Sequence, residues 1–137
     1  RIPLAAKVLH QADGQKTIVA AGAAASASKQ RAIEALGARV WRLPRKHRQV
    51  AWRPLLRKLA GLGIVSVMIE GGGSIAASAL EAKIVDKFLF FYAPKIFGGD
   101  GRPMIDSLGL RWVKRAVSVK DWRFSRSGGD LLVTGYL

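Results

Sequence analysis

The chain has 137 residues, 50% of them apolar, and a slightly positive mean hydropathy of +0.14. That length and content suit one globular domain, expected to span residues 1–137, and exclude a disordered chain. Lys and Arg total 23 against nine acids, a net charge of +14 whose field attracts anions without choosing among phosphorylated metabolites, nucleotides, nucleic acid and acidic partners.

Cysteine is absent, which removes disulfides and thiolate metal sites, and the two histidines, His10 and His47, lack i, i+4 spacing. No metal site and no Ser-His-Asp arrangement is expected. No apolar run is long enough to cross a bilayer and none resembles a signal peptide, so a cytoplasmic protein without a membrane partner is expected. The opening Arg1-Ile2-Pro3-Leu4 reads as the interior of a longer protein.

After the turn signal Asp13-Gly14, Thr17-Ile18-Val19-Ala20 is a β-type run. Ser26 or Ser28 can cap a helix over residues 29–36, with Gly37 placed to end it. The alternating residues 38–43 predict a strand stopped by Pro44, and a basic loop, Arg45-Lys46-His47-Arg48, follows. Pro54 suits the first turn of a helix directing Leu55, Leu56, Leu59 and Leu62 to the core. Trp41 and Trp52 sit among apolar residues and read as core. Between Glu34 and Glu70 there is no acid but eight cations, including Arg39, Arg42, Arg45, Arg53 and Lys58. A solvated surface is the ordinary explanation of such a run.

Residues 64–69 are almost wholly apolar, as expected of a strand covered on both faces. Glu70-Gly71-Gly72-Gly73-Ser74 comes next, then a small-residue helix. A strand, a glycine turn and a helix start form a common phosphate cradle, because glycines admit close approach and the first helical N–H groups point at the anion. The turn lacks the endings of a P-loop and of a Rossmann fingerprint, so a tight turn that binds nothing remains open. Glu70 beside an anion is a charge conflict. A two-part site resolves it, with phosphate on the glycines and a polar ring or sugar donating to the carboxylate.

Residues 86–93 predict another strand, closed by Pro94, followed by an irregular loop at 97–103. Two final strands, about 111–124 and 131–137, are joined through Ser127-Gly128-Gly129-Asp130. Trp112 and Trp122 read as packing residues. The order predicts an α/β fold, a mostly parallel sheet with helices on both faces and a C-terminal antiparallel hairpin. Ligands in such sheets bind at the carboxyl ends of strands, where Glu70 falls.

Three segments together, residues 67–76 around Glu70-Gly71-Gly72-Gly73, then Ile84-Val85-Asp86, then Phe91-Tyr92-Ala93-Pro94-Lys95-Ile96-Phe97-Gly98-Gly99, resemble one family. It is the reductase domain of the bacterial bifunctional riboflavin-biosynthesis deaminase/reductase, whose fold is dihydrofolate-reductase-like. The resemblance implies NADPH-dependent reduction of 5-amino-6-(5-phosphoribosylamino)uracil to its ribitylamino product. It places the cofactor phosphates on Gly71, Gly72, Gly73, Ser74, Ile75, Ala76, Ala77 and Ser78, with Ala21 and Gly22 as minor cofactor contacts. It places Glu70 and Arg1 on the substrate, a phosphorylated pyrimidine, and identifies no catalytic proton donor. It also implies that N-terminal strands precede Arg1. A homodimer is expected, and nucleic acid is not expected as a partner despite the charge. The alternatives are a non-catalytic basic nucleic-acid-binding module and an inactive structural remnant of the fold.

Overall fold

The computed structural model describes residues 2–10, 16–46 and 49–137. Arg1, the Asp13-Gly14 turn signal and the loop residues His47 and Arg48 lie outside the described residues. The chain divides into two compact units, Arg1–Val67 and Met68–Leu137.

In the first unit, β1 (Ile18–Gly22) pairs in parallel with β2 (Arg39–Leu43), and α1 (Ala27–Glu34) makes the crossover between them. Ser26 caps α1, its hydroxyl accepting from the Lys29 N–H at 3.4 Å. Gly37 ends that turn with φ +91°, a conformation few other residues adopt cheaply. Leu9, Ile33 and Ala38 form the buried centre, flanked by Ile2, Ala6, Val19, Leu36 and Val40. Trp41 and Leu43 are also buried, and the Lys58 ammonium lies 4.8 Å from the centre of the Trp41 ring. A short antiparallel pair, β3 (Arg45–Lys46) and β4 (Gln49–Val50), leads to α2 (Trp52–Ala60), with Pro54 in its first turn. Leu55, Leu56 and Leu59 are half-buried, whereas Leu62 is exposed.

The second unit holds α3 (Gly73–Glu81) and a three-stranded antiparallel sheet ordered β5 (Lys87–Tyr92), β7 (Asp130–Tyr136), β6 (Lys120–Ser127). The β6–β7 turn is the predicted one, with Gly128 at φ +60°. The register sets Phe90, Val133 and Phe124 side by side on one face. Gly135 lies on that face too, and a Cβ there would fall 2.6 Å from Val119 and 2.7 Å from the Phe88 ring.

Four sequence expectations need correction. The α/β class holds, but among the described residues only β1 and β2 pair in parallel, and the strands form three separate sheets. Residues 64–69 pair with no described strand; Val65 is 98% and Met68 74% exposed. An apolar run supplies the side chains of a covered strand, but not the neighbours whose N–H and C=O groups would complete it. The segment before β6 is irregular until Lys120, apart from a 3₁₀ turn at Val113–Arg115. Trp112 and Trp122 are exposed rather than packed, and Trp122 contacts Phe124 at a ring separation of 6.1 Å.

Candidate functional site

The glycine turn is built as its residue types dictate. Gly72 is the N-cap of α3 in an extended conformation, with φ −70° and ψ 173°. Its carbonyl accepts from Ile75 at 3.0 Å and from Ala76 at 3.2 Å, so the helical ladder starts there. The donors that precede the ladder are the N–H groups of Gly73 and Ser74, the positive end of the helix. The residues of the first turn include no acid, and the N-cap glycine has no side chain to cap it.

The three glycines are needed for different reasons. A Cβ at Gly71 would meet Ile75 at 2.8 Å, so this glycine keeps room for its own helix. One at Gly73 would fall 2.5 Å from Asp106 Oδ1 and 2.6 Å from the Pro103 carbonyl oxygen. The space there belongs to a returning loop. A Cβ at Gly72 would meet none of the described residues within 4 Å beyond its chain neighbours and its own helix, so of the three glycines only Gly72 adjoins open space. The turn thus presents backbone without a side chain at Gly72, next to the positive end of α3.

Glu70 is exposed just ahead of the turn. Ser74 and Ile75 are exposed on the first turn, Ala76 is half-buried, and Ala77 is buried. The Ser78 hydroxyl donates to the Ile75 carbonyl at 2.9 Å, back along its own helix. Residues 70–78 are thus one contiguous turn and helix start. Ala21 and Gly22 end β1 in the first unit, where the Arg45 stem lies so close over Gly22 that a Cβ would fall 2.5 Å from its Cδ. Arg1 lies outside the described residues. Among the described residues no cluster of His, Cys, Asp or Glu could hold a metal ion. No helix there is long and apolar enough to cross a membrane.

Pro103 and Asp106 were not foreseen as neighbours of the turn. Arg102-Pro103 reads in sequence only as part of an irregular loop, and nothing in its spacing says that it returns to α3.

The family model described as the RibD C-terminal domain matches residues 1–133. The chain belongs to the RibD C-terminal domain family. The resemblance drawn from the glycine turn and the Ala-Pro-Lys-Ile-Phe-Gly-Gly segment is therefore borne out. Riboflavin biosynthesis protein RibD of Actinobacillus pleuropneumoniae is 30% identical over 134 residues, covering 97% of this chain and 35% of that protein. A Methanothermobacter thermautotrophicus protein named 2,5-diamino-6-ribosylamino-4(3H)-pyrimidinone 5′-phosphate reductase is 36% identical over 87 residues, covering 63% of this chain and 40% of that one. The solved structure of Acinetobacter baumannii RibD, form 2, aligns with TM-score 0.81 at 19% identity over 99% of this chain and 34% of that one, which supports the RibD reductase fold. The chain thus spans about a third of the RibD proteins it matches over nearly its full length.

Proposed function

We propose that this RibD C-terminal domain is an NADPH-dependent reductase of riboflavin biosynthesis that acts on 5-amino-6-(5-phosphoribosylamino)uracil. Membership of the family supports the reading, as does similarity to a protein named for reducing a ribosylamino-pyrimidinone phosphate. The observation that carries it is the side-chain-free opening at Gly72, at the start of α3. NADPH, when bound, would supply a hydride to the ribose C1 of the open-chain imine; a proton taken up at the imine nitrogen would complete the ribitylamino product.

The chain's own residues would bind and orient. The backbone of residues 71–78 would hold the cofactor phosphates at the positive end of α3. Glu70, an acceptor when ionised, takes hydrogen bonds from pyrimidine N–H or sugar hydroxyl donors and so fixes the substrate beside the phosphates. Arg1 is assigned to the substrate, and Ala21 and Gly22 to secondary cofactor contacts. Residues 1–137 act as one reductase domain, and a cytoplasmic location and a homodimer belong to the same proposal.

Calorimetric titration with NADPH, followed by substrate-dependent loss of nicotinamide absorbance, tests the proposal. Folded protein that takes up no NADPH would count against it. Glu70→Gln is expected to raise the substrate KM by about tenfold, the cost of one charge-assisted hydrogen bond, and to leave the NADPH Kd within about twofold. Equal losses in both would remove the division of roles.

A further inference from the structure

An acidic side chain does stand at the start of α3, brought there by a later loop. The Asp106 N–H donates to the Gly73 carbonyl at 3.1 Å. Its Oδ1 lies so close to Gly73 that an added Cβ would fall 2.5 Å away, and the Pro103 carbonyl oxygen crowds the same point at 2.6 Å. Asp106 is half-buried, so water screens its charge less than it would that of an exposed carboxylate. Gly73 and Asp106 belong to the same compact unit.

We propose that Asp106 is an internal anion held against the first turn of α3, and that a phosphate-bearing ligand binds at Gly72 against its charge. The inference rests on the cofactor reading above and adds a residue that sets its affinity. Without ligand, the carboxylate complements the positive end of the helix. With a diphosphate at the neighbouring glycine, the two negative groups repel. The main chain of Asp106 keeps Gly73 in place in both states, so the residue positions the turn while its charge weakens the bound state. Release of the spent cofactor is favoured by the same repulsion.

Asp106→Asn keeps the size and the main-chain bond and removes the charge. Wild type and variant are titrated with inorganic pyrophosphate and, separately, with NADPH, at low and high salt. The variant is expected to bind both ligands at least about fivefold more tightly at low salt, with the gap closing at high salt. A structural role alone would not produce that salt dependence. Thermal melting checks that each protein is folded, and Asp106→Ser replaces the first variant if the amide destabilises the loop. Equal or weaker pyrophosphate binding by a folded variant overturns the proposal, while NADPH binding by wild type leaves the cofactor reading standing. Tighter pyrophosphate binding without NADPH binding in either protein keeps the role of Asp106 and removes the cofactor. Binding of neither ligand by either protein overturns both.

Discussion

The two compact units solve opposite problems. The first buries Leu9, Ile33, Ala38, Trp41 and Leu43 around a parallel strand pair and its crossover helix. Among the described residues of the second, the buried hydrophobics are only Ala77 and Ala79, both on α3. Many of its larger apolar side chains are exposed, Phe91 at 54% and Phe124 at 68%, while Phe88, Phe90 and Val133 are half-buried. Yet the second unit carries the glycine turn. Side-chain volume decides the first unit, whereas backbone clearance at particular glycines decides the second.

The contrast breaks most readily at Ile33. Truncating it to Ala is expected to cost about 2–5 kcal/mol, since it sits in the closed cluster with Leu9 and Ala38. The exposed apolar run is expected to behave differently, with Val65→Ala changing stability by less than about 0.5 kcal/mol. Urea unfolding of the two variants measures the difference, and similar costs would put residue 65 in a core.

Within the second unit, Gly73→Ala is expected to cost roughly 1–3 kcal/mol, because the new Cβ meets the backbone of Pro103 and Asp106. Gly135→Ala is expected to fall in the same range of about 1–3 kcal/mol, pressed between Val119 and Phe88. Gly72→Ala meets open space at an ordinary φ and should leave stability within about 0.5 kcal/mol of wild type. Thermal melts of the three glycine variants rank them. A Gly72 variant as unstable as Gly73→Ala would mean that the opening is filled.

The smallest effect is expected at Ser26→Ala. Its capping bond is long at 3.4 Å, and the loss should lie near the low end of the range for caps, about 0.5 kcal/mol. The helical content and unfolding free energy of the variant check this.

What was legible in the sequence was local chemistry. Ser26, Gly37, Pro54 and the glycine pair at 128–129 each impose a backbone conformation within a few residues, and each marks an element that formed where its chemistry placed it. Family membership was legible because several such segments occur in order. Residues 64–69 misled because composition encodes the wish for burial and not the neighbour that provides it. Trp112 and Trp122 misled for the same reason. The fit of Asp106 against Gly73 is a tertiary contact between distant loops, and neither residue carries a local signal of it. The basic run was legible in part: Arg42 donates to the Gln30 side chain at 2.7 Å and Lys58 covers Trp41, so some of that charge is held by neighbours within the first unit.

The glycine turn is proposed as a cofactor site whose open face is Gly72. NADPH titration of Gly72→Val against wild type, both shown folded by thermal melting, tests it most directly. A valine side chain would occupy the space a diphosphate needs, so the Kd should rise by at least about tenfold, or about 1.4 kcal/mol, with little change in melting temperature. An unchanged Kd in the folded variant would contradict the account and place the cofactor phosphates elsewhere.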